Sequence, residues 1–385
     1  MNNRSILVEG WLFYGHSFSI VNEWQLLELT KRSGIDLYFK ASPPVHPAWR
    51  ARPGLRTAEE IHALCSLRCP QKGATLDFTF RIAVPISFEA AKLGRTYVFC
   101  VAESGWFPRR YTRSGRTLSD LLGDSDALLV TPSLWSRWGL LRAGADPARV
   151  RVVPHGTDTD TFHPGESAER ETDRSKRGWS GRFVFLNVSA MSLNKGVDLL
   201  LKAFARVAMR RPEALLVLKG ADPVYGSSNW LHRCWREKLT PEERKACLSR
   251  VQYIGGLGSF DRVAGLFRAA DAYVTPYRAE GFNLPALEAV ASGLPLICTE
   301  GGPTNEFTTP DFACRIPARL VPEGWRDPEE LVLEPSLDGL SQAMMDVIEN
   351  ASFRERARVL GPAFVRNAWT WKEAVDKLLD AFGAA

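Results

Sequence analysis

The sequence predicts an α/β protein made of two Rossmann-like domains facing a cleft. Three observations carry this. The chain has 385 residues, beyond the length at which a single hydrophobic core stops growing. Short β-branched or aromatic runs alternate with amphipathic segments along nearly all of it, the pattern of parallel strands joined by crossover helices. Midway, the stretch PHGTDTDTFHPGESAERETDRSKRGW is rich in charge, Thr, Gly and Pro, and it lacks apolar periodicity between Gly165 and Arg177.

Before that interruption, strands are expected over residues 5–9, 35–39, 96–100, 127–131 and 150–153. Residues 77–82 alternate apolar and polar side chains, which suits an edge or hairpin strand. After it, the alternation restarts with strands over 183–188, 215–218, 251–254, 272–275 and 294–298, and with a helix opening at Lys195. The domains are therefore drawn as residues 1–165 and 166–367, with a final helix over 368–385. The stretch from Trp230 to Lys245 mixes indoles and cations; it reads either as a contact for a phosphate or glycan or, more often for such a run, as a solvated insertion with its indoles packed inward.

Composition excludes several classes. Hydrophobic residues make up 45% and charged residues 24%, ordinary globular usage that argues against disorder. No apolar run approaches the roughly 20 residues of a membrane-spanning helix, and the opening MNNRSILVEG has no secretory apolar region. A cytoplasmic protein is expected, with room for peripheral contact at the inner face of the membrane. Seven scattered cysteines fit reduced thiols better than a disulfide framework. His62, Cys65 and Cys69 lie close in sequence, but no second cluster completes a metal site. The net charge of +5 favours an anionic partner such as a diphosphate or an acidic bilayer surface, and no nucleic-acid motif accompanies it.

The most informative segment runs from Ala269 to Phe307 and reads as strand, loop, helix, strand and glycine turn. Its loop puts Glu280 and Gly281 ahead of a helix opening near Leu284 and Pro285, where proline suits the first turn. The amides of Phe282, Asn283 and Leu284 would then point outward at the positive end of the helix, a receptor for phosphate or sugar oxygens. Glu288 follows Glu280 by eight positions, which at full helical rise is a separation of roughly 12 Å. A retaining glycosidase holds its two carboxylates only about 5 Å apart, so the pair suits the two ends of an elongated ligand better than hydrolysis.

Glu280 and Glu288, set in EGFNLPALEAVASGLPL, resemble the spaced glutamate pair of the retaining glycosyltransferases of family 4, the group 1 glycosyltransferases, which use the glycosyltransferase B fold. VTPSLWSRWGLLRAGA, VRVVPHGTDTDTFHP, NKGVDLLLKAF and FDRVAGLFRAADAYVTPY follow the family's order, and WTWKEAVDKLLDAF resembles its terminal helix that crosses back to the N-terminal domain. The similarity runs from Leu128 to the C-terminus. It implies a nucleotide-sugar donor, UDP- or GDP-linked, held by the C-terminal domain, a glycan, lipid-linked or small-molecule acceptor at the N-terminal one, and no cofactor. Lys195 matches the family lysine on the donor diphosphate, Glu280 would face the sugar, and Glu288 the ribose hydroxyls. Backbone around Gly256 and Leu257 is a candidate for base recognition.

The chain departs from the family pattern in three places. The family carries an arginine five positions before the lysine within a Gly-Arg pair, where this sequence has Ser189 and Ala190. Lys219, at the end of a strand, is a candidate substitute or a surface lysine. The usual glycine-rich loop after the first strand is replaced by GWLFYGHSFSIVNE, in which Gly15 and His16 would face the cleft; His16 either acts on donor or acceptor or caps the helix. Where the family places a histidine after a later strand, Glu103 stands instead; it either handles the acceptor proton or pairs with Arg109 or Arg110. Rival functions on the same fold are a sugar-nucleotide epimerase, a phosphorylase, or a non-catalytic glycan- or nucleotide-binding subunit.

Overall fold

The computed structural model describes residues 3–324 and 327–383. It divides into two compact units, one of Met1–Gly156, Glu323–Glu330 and Trp371–Ala385, the other of Thr157–Pro322 and Leu331–Thr370. The first unit holds strands β1 (Arg4–Gly10), β2 (Ile35–Ala41), β3 (Phe78–Ile82), β4 (Arg95–Phe99), β5 (Leu128–Thr131) and β6 (Val150–Val152). They form one parallel sheet in the order β2-β1-β3-β4-β5-β6. Residues 77–82 are thus no edge or hairpin strand: β3 lies between β1 and β4, and its Phe78, Phe80 and Ile82 are buried.

The second unit holds β7 (Phe183–Val188), β8 (Ala214–Lys219), β9 (Val251–Ile254), β10 (Ala272–Thr275), β11 (Leu296–Thr299) and β12 (Ala313–Ile316). These make a second parallel sheet in the order β12-β11-β10-β7-β8-β9. Successive residues of β7 serve opposite faces. Phe185 packs with Leu216 and Val274 in one core, while Val184 and Leu186 join Val217 and Tyr273 in the other. Both faces are covered, which is why these strands read as continuous apolar runs. An antiparallel pair, β13 (Ala318–Pro322) and β14 (Leu331–Pro335), completes the unit.

The division falls earlier than residue 165, and local packing shows why. The Thr157 amide donates to the Trp369 carbonyl at 2.9 Å, and the buried Phe162 ring meets Phe267 edge-on at 5.6 Å. The charged run that follows is a helix, Ser167–Arg177, ending in a left-handed Gly178. It docks through a buried arginine, since Arg174 reaches Asp271 at 3.0 Å and the Ala269 carbonyl at 2.7 Å. The stretch with the indoles forms helix Ser227–Glu237, with Trp230 and Trp235 packed on the core. Cys65, at the end of helix Ala58–Cys65, and Cys69 are exposed thiols.

The last helix, Trp371–Phe382, packs within the first unit. Phe382 is 3% exposed, and its ring lies 4.5 Å from Tyr97, 5.5 Å from Phe80 and 5.7 Å from Phe78. Phe382→Ala is expected to cost the first unit about 3–5 kcal/mol, read in urea denaturation of the full chain as an earlier transition in tryptophan fluorescence.

Candidate functional site

Ligands of open parallel sheets bind beyond the carboxyl ends of the strands, where strand order reverses. In the second sheet the chain steps from β7 outward to β8 and β9, then returns to lay β10 on the other side of β7. The loops 189–196 and 276–283 therefore open side by side. They touch through backbone: Gly196 has φ +65°, and a Cβ there would lie 1.9 Å from the Pro276 carbonyl oxygen, so only glycine fits. The amides of Arg278 and Ala279 donate to the Asn194 carbonyl at 2.7 and 3.2 Å.

Arg278 locks this contact from inside. Its guanidinium donates to the Leu193 carbonyl at 3.1 Å, to both oxygens of Asp198 at 2.7 and 3.1 Å, and to both oxygens of Glu334 at 2.6 and 3.1 Å. Its pKa is raised: burial opposes the charge, and the two carboxylates outweigh burial. The frame brings Lys195 Nζ within 2.9 Å of Glu280 Oε1, with the two side chains 16% and 12% exposed. Lys195 does not open the long helix; it ends a 3-10 turn, and the helix Val197–Arg210 starts after the left-handed Gly196.

Asn283 sits at φ +78°, a conformation asparagine tolerates better than most residues. Its Oδ1 accepts from the Ala286 amide at 3.2 Å and its Nδ2 donates to Thr275 Oγ1 at 3.0 Å, tying the start of helix Leu284–Ala291 to the end of β10. The chain from Glu280 to Glu288 is therefore not helical throughout, and the full-rise separation does not apply. Gly281 is buried, the Phe282 ring points into the core against Phe307 at 5.2 Å, and Leu284 is half-buried. Glu288, on the helix and half-buried, has its carboxyl pushed up to about 8 by burial. The Tyr273 hydroxyl donates to the Val188 carbonyl at 3.0 Å. Burial, with the charges of Glu288 and Glu280 adding to it, raises that hydroxyl well above the usual phenol range.

Ser189 donates its hydroxyl to Asn187 Oδ1 at 2.7 Å and its amide to the Lys219 carbonyl at 3.0 Å. Lys219 is no surface lysine: it is 6% exposed, and burial pulls its ammonium down to about 8. Gly256, exposed, and Leu257, half-buried, follow β9 at the outer edge of the sheet.

In the first sheet the reversal lies between β1 and β3, and the loop 11–16 leaves β1 there. Buried Glu23 fixes it by accepting from the Phe13 amide at 2.6 Å, Ser19 Oγ at 2.7 Å and Arg56 Nε at 2.8 Å. Gly15 precedes His16, which caps the helix Ser17–Leu29 by accepting the Phe18 amide on Nδ1 at 3.2 Å. Its ring packs against Trp11 at 5.4 Å and Trp49 at 5.2 Å, and burial pulls its pKa down to about 4. Glu103, half-buried beyond β4, is not the partner of Arg110, which bonds Glu330 together with Ser104.

Sequence reasoning passed over Arg278, Asp198, Glu334 and Glu23. Only Arg278 left a signal, a lone cation two positions before Glu280 in an apolar segment. Among the described residues no group of three or more His, Cys, Asp or Glu could hold a metal ion, and no helix is long and apolar enough to cross a membrane.

Residues 169–358 match the family model described as glycosyl transferases group 1. A mannosylfructose-phosphate synthase of Agrobacterium fabrum is 31% identical over 41% of this chain and 34% of its own length. A GDP-mannose-dependent alpha-(1-6)-phosphatidylinositol monomannoside mannosyltransferase of Mycobacterium tuberculosis is 25% identical over 72% of this chain and 66% of its own. The chain thus spans from a third to two thirds of the length of these relatives. The crystal structure of a glycosyltransferase from Rickettsia africae superposes with a TM-score of 0.70 at 14% identity, covering 99% of this chain and 98% of that one, and shares the fold.

Arg278→Met leaves Asp198 and Glu334 without their cation and is expected to cost about 3–5 kcal/mol, measured by chemical denaturation. Glu288 gives a pH signature. Its folded pKa of about 8 lies above the ordinary 4.5, so the native state holds a proton that the unfolded state releases, and stability falls as pH rises from 4.5 through 8. Glu288→Gln should therefore match the wild type in melting temperature near the lower limit and exceed it increasingly up to the higher one.

Proposed function

The chain belongs to the group 1 glycosyltransferases, and from that membership we propose that it moves a hexose-type sugar from a nucleoside-diphosphate sugar to an acceptor hydroxyl with retention of anomeric configuration. The observation that carries the reading is the Lys195–Glu280 pair at the β7–β10 reversal, with Glu280 three residues before the left-handed Asn283 that caps a helix. As the glycosidic bond breaks, charge builds on the leaving diphosphate, and a fixed ammonium there stabilises the transition state. Lys195 is that cation, in the role a metal ion takes in other diphosphate sites. Glu280 holds it in the free protein; an arriving diphosphate takes over the lysine and leaves Glu280 to accept from sugar hydroxyls.

Glu288 accepts from the ribose hydroxyls, whose donation favours its charged form and draws its pKa back down. On the acceptor side, Glu103 orients the hydroxyl, while His16, neutral at physiological pH, donates from its ring. Retention is assigned to front-face displacement: the acceptor oxygen bonds to the anomeric carbon, the bond to the diphosphate oxygen breaks, and that oxygen takes the acceptor proton. The names of the two relatives favour a sugar phosphate or a lipid-linked glycan as acceptor, and the name of the mycobacterial one a GDP-linked donor. That acceptor range fits polysaccharide or glycoconjugate synthesis, with peripheral contact at a membrane where the acceptor is lipid-linked.

A thermal-shift panel of UDP, GDP, ADP and their sugar conjugates tests the donor site: one nucleotide should raise the melting temperature of the wild type but not of Lys195→Ala or Glu288→Ala. Glu280→Gln should still bind that nucleotide while losing turnover by about a hundredfold or more. Proton couplings of the product showing an inverted anomeric centre would reject front-face displacement, and a changed nucleotide sugar made without acceptor would move the epimerase reading forward.

A further inference from the structure

Lys219 ends β8, the strand beside β7. Its carbonyl receives the Ser189 amide, so it lies next to the first residue of the loop that ends at Lys195. An ammonium has three donors; here one goes to the carbonyl of the next residue, Gly220. The carboxylate that acts on it is Asp222, whose Oδ1 is already taken by the Tyr253 hydroxyl at 2.6 Å and the Ser228 amide at 2.7 Å. Among the described residues Lys219 forms no ion pair. Burying a cation with so little compensation is costly. The turn after Lys219 is tightly packed: a Cβ on Gly220 would lie 2.4 Å from the Tyr253 hydroxyl and 2.8 Å from the Ser227 Cβ.

This cation ends the strand beside the one that leads into the loop carrying Lys195, and in that loop Ala190 stands where the family resemblance implies an arginine. We propose that Lys219 supplies the second positive charge on the donor diphosphate, so that the phosphate grip is shared between the loop after β7 and the end of β8. The inference rests on the donor site proposed above and names what replaces its missing arginine. It makes the second phosphate, more than the base, the group that Lys219 reads.

Isothermal titration of the full chain with UDP, GDP and ADP identifies the diphosphate that binds, and the matching nucleoside serves as the control. In Lys219→Met and in Lys219→Gln, which keeps a donor for the Gly220 carbonyl, diphosphate affinity should fall about tenfold or more while nucleoside affinity holds. The melting temperature of the ligand-free Lys219→Met protein should equal or exceed that of the wild type, since a stranded charge is removed; a merely structural lysine would lower it and leave binding untouched. Diphosphate affinity in both variants within about threefold of the wild type, with Lys195→Ala weak, would overturn the role of Lys219 and leave the donor site standing. A wild type that binds none of the three diphosphates would overturn both.

Discussion

The second unit depends on one crossing of chain paths: β10 returns to the side of β7 opposite β8. Crossovers that leave β7 and β10 in different directions cannot cover the gap between them, so the two loops must fill it themselves. They do so at backbone distance, which is why position 196 has no room for a side chain against the Pro276 carbonyl. A site built this way is fixed by peptide groups before any functional side chain is placed. Lys195 and Glu280 then meet because each lies next to that contact, not because their own charges pull two mobile loops together.

The charges around the contact are arranged in tiers. Arg278 is saturated by Asp198, Glu334 and the Leu193 carbonyl, so it spends its donors on the frame. Such a buried group stabilises little over a well-packed apolar alternative, but removing one partner is expensive; its contribution is to fix geometry. Lys195 and Glu280 form the next tier, half-buried and paired. This second pair lies on the loops that the first tier holds in place.

Much of this was legible in sequence, and the failures have physical causes. Strands β7 to β10 stood out because both of their faces are apolar, and EGFNLPALEAVASGLPL carried its resemblance in a short contiguous stretch. The helix Ser167–Arg177 was hidden because it docks by Arg174 hydrogen-bonding to carbonyls and Asp271 instead of by an apolar stripe. β3 looked like an edge strand because its alternation includes Thr79 and Arg81; Thr79 is nevertheless buried, bonding the Leu93 carbonyl, and Arg81 is satisfied by Glu9 at 2.9 Å. Arg278 was missed because its partners, Asp198 and Glu334, are eighty and fifty-six positions away, distances over which a single sequence carries no pairing signal.

The same reasoning accounts for the balance of charge at the sheet edge. Lys195 and Glu280 cancel in the free protein. Glu288, with a carboxyl near 8, is largely neutral at physiological pH, so it adds little negative charge to repel an incoming anion. Lys219 remains, a buried ammonium that donates to the Gly220 carbonyl and feels the Asp222 carboxylate. At neutral pH burial thus neutralises Glu288 more completely than it neutralises Lys219. Burial shifts both groups toward their uncharged forms; the glutamate starts near 4.5 and crosses neutrality on the way to about 8, whereas the lysine starts near 10.5 and stops short of it at about 8.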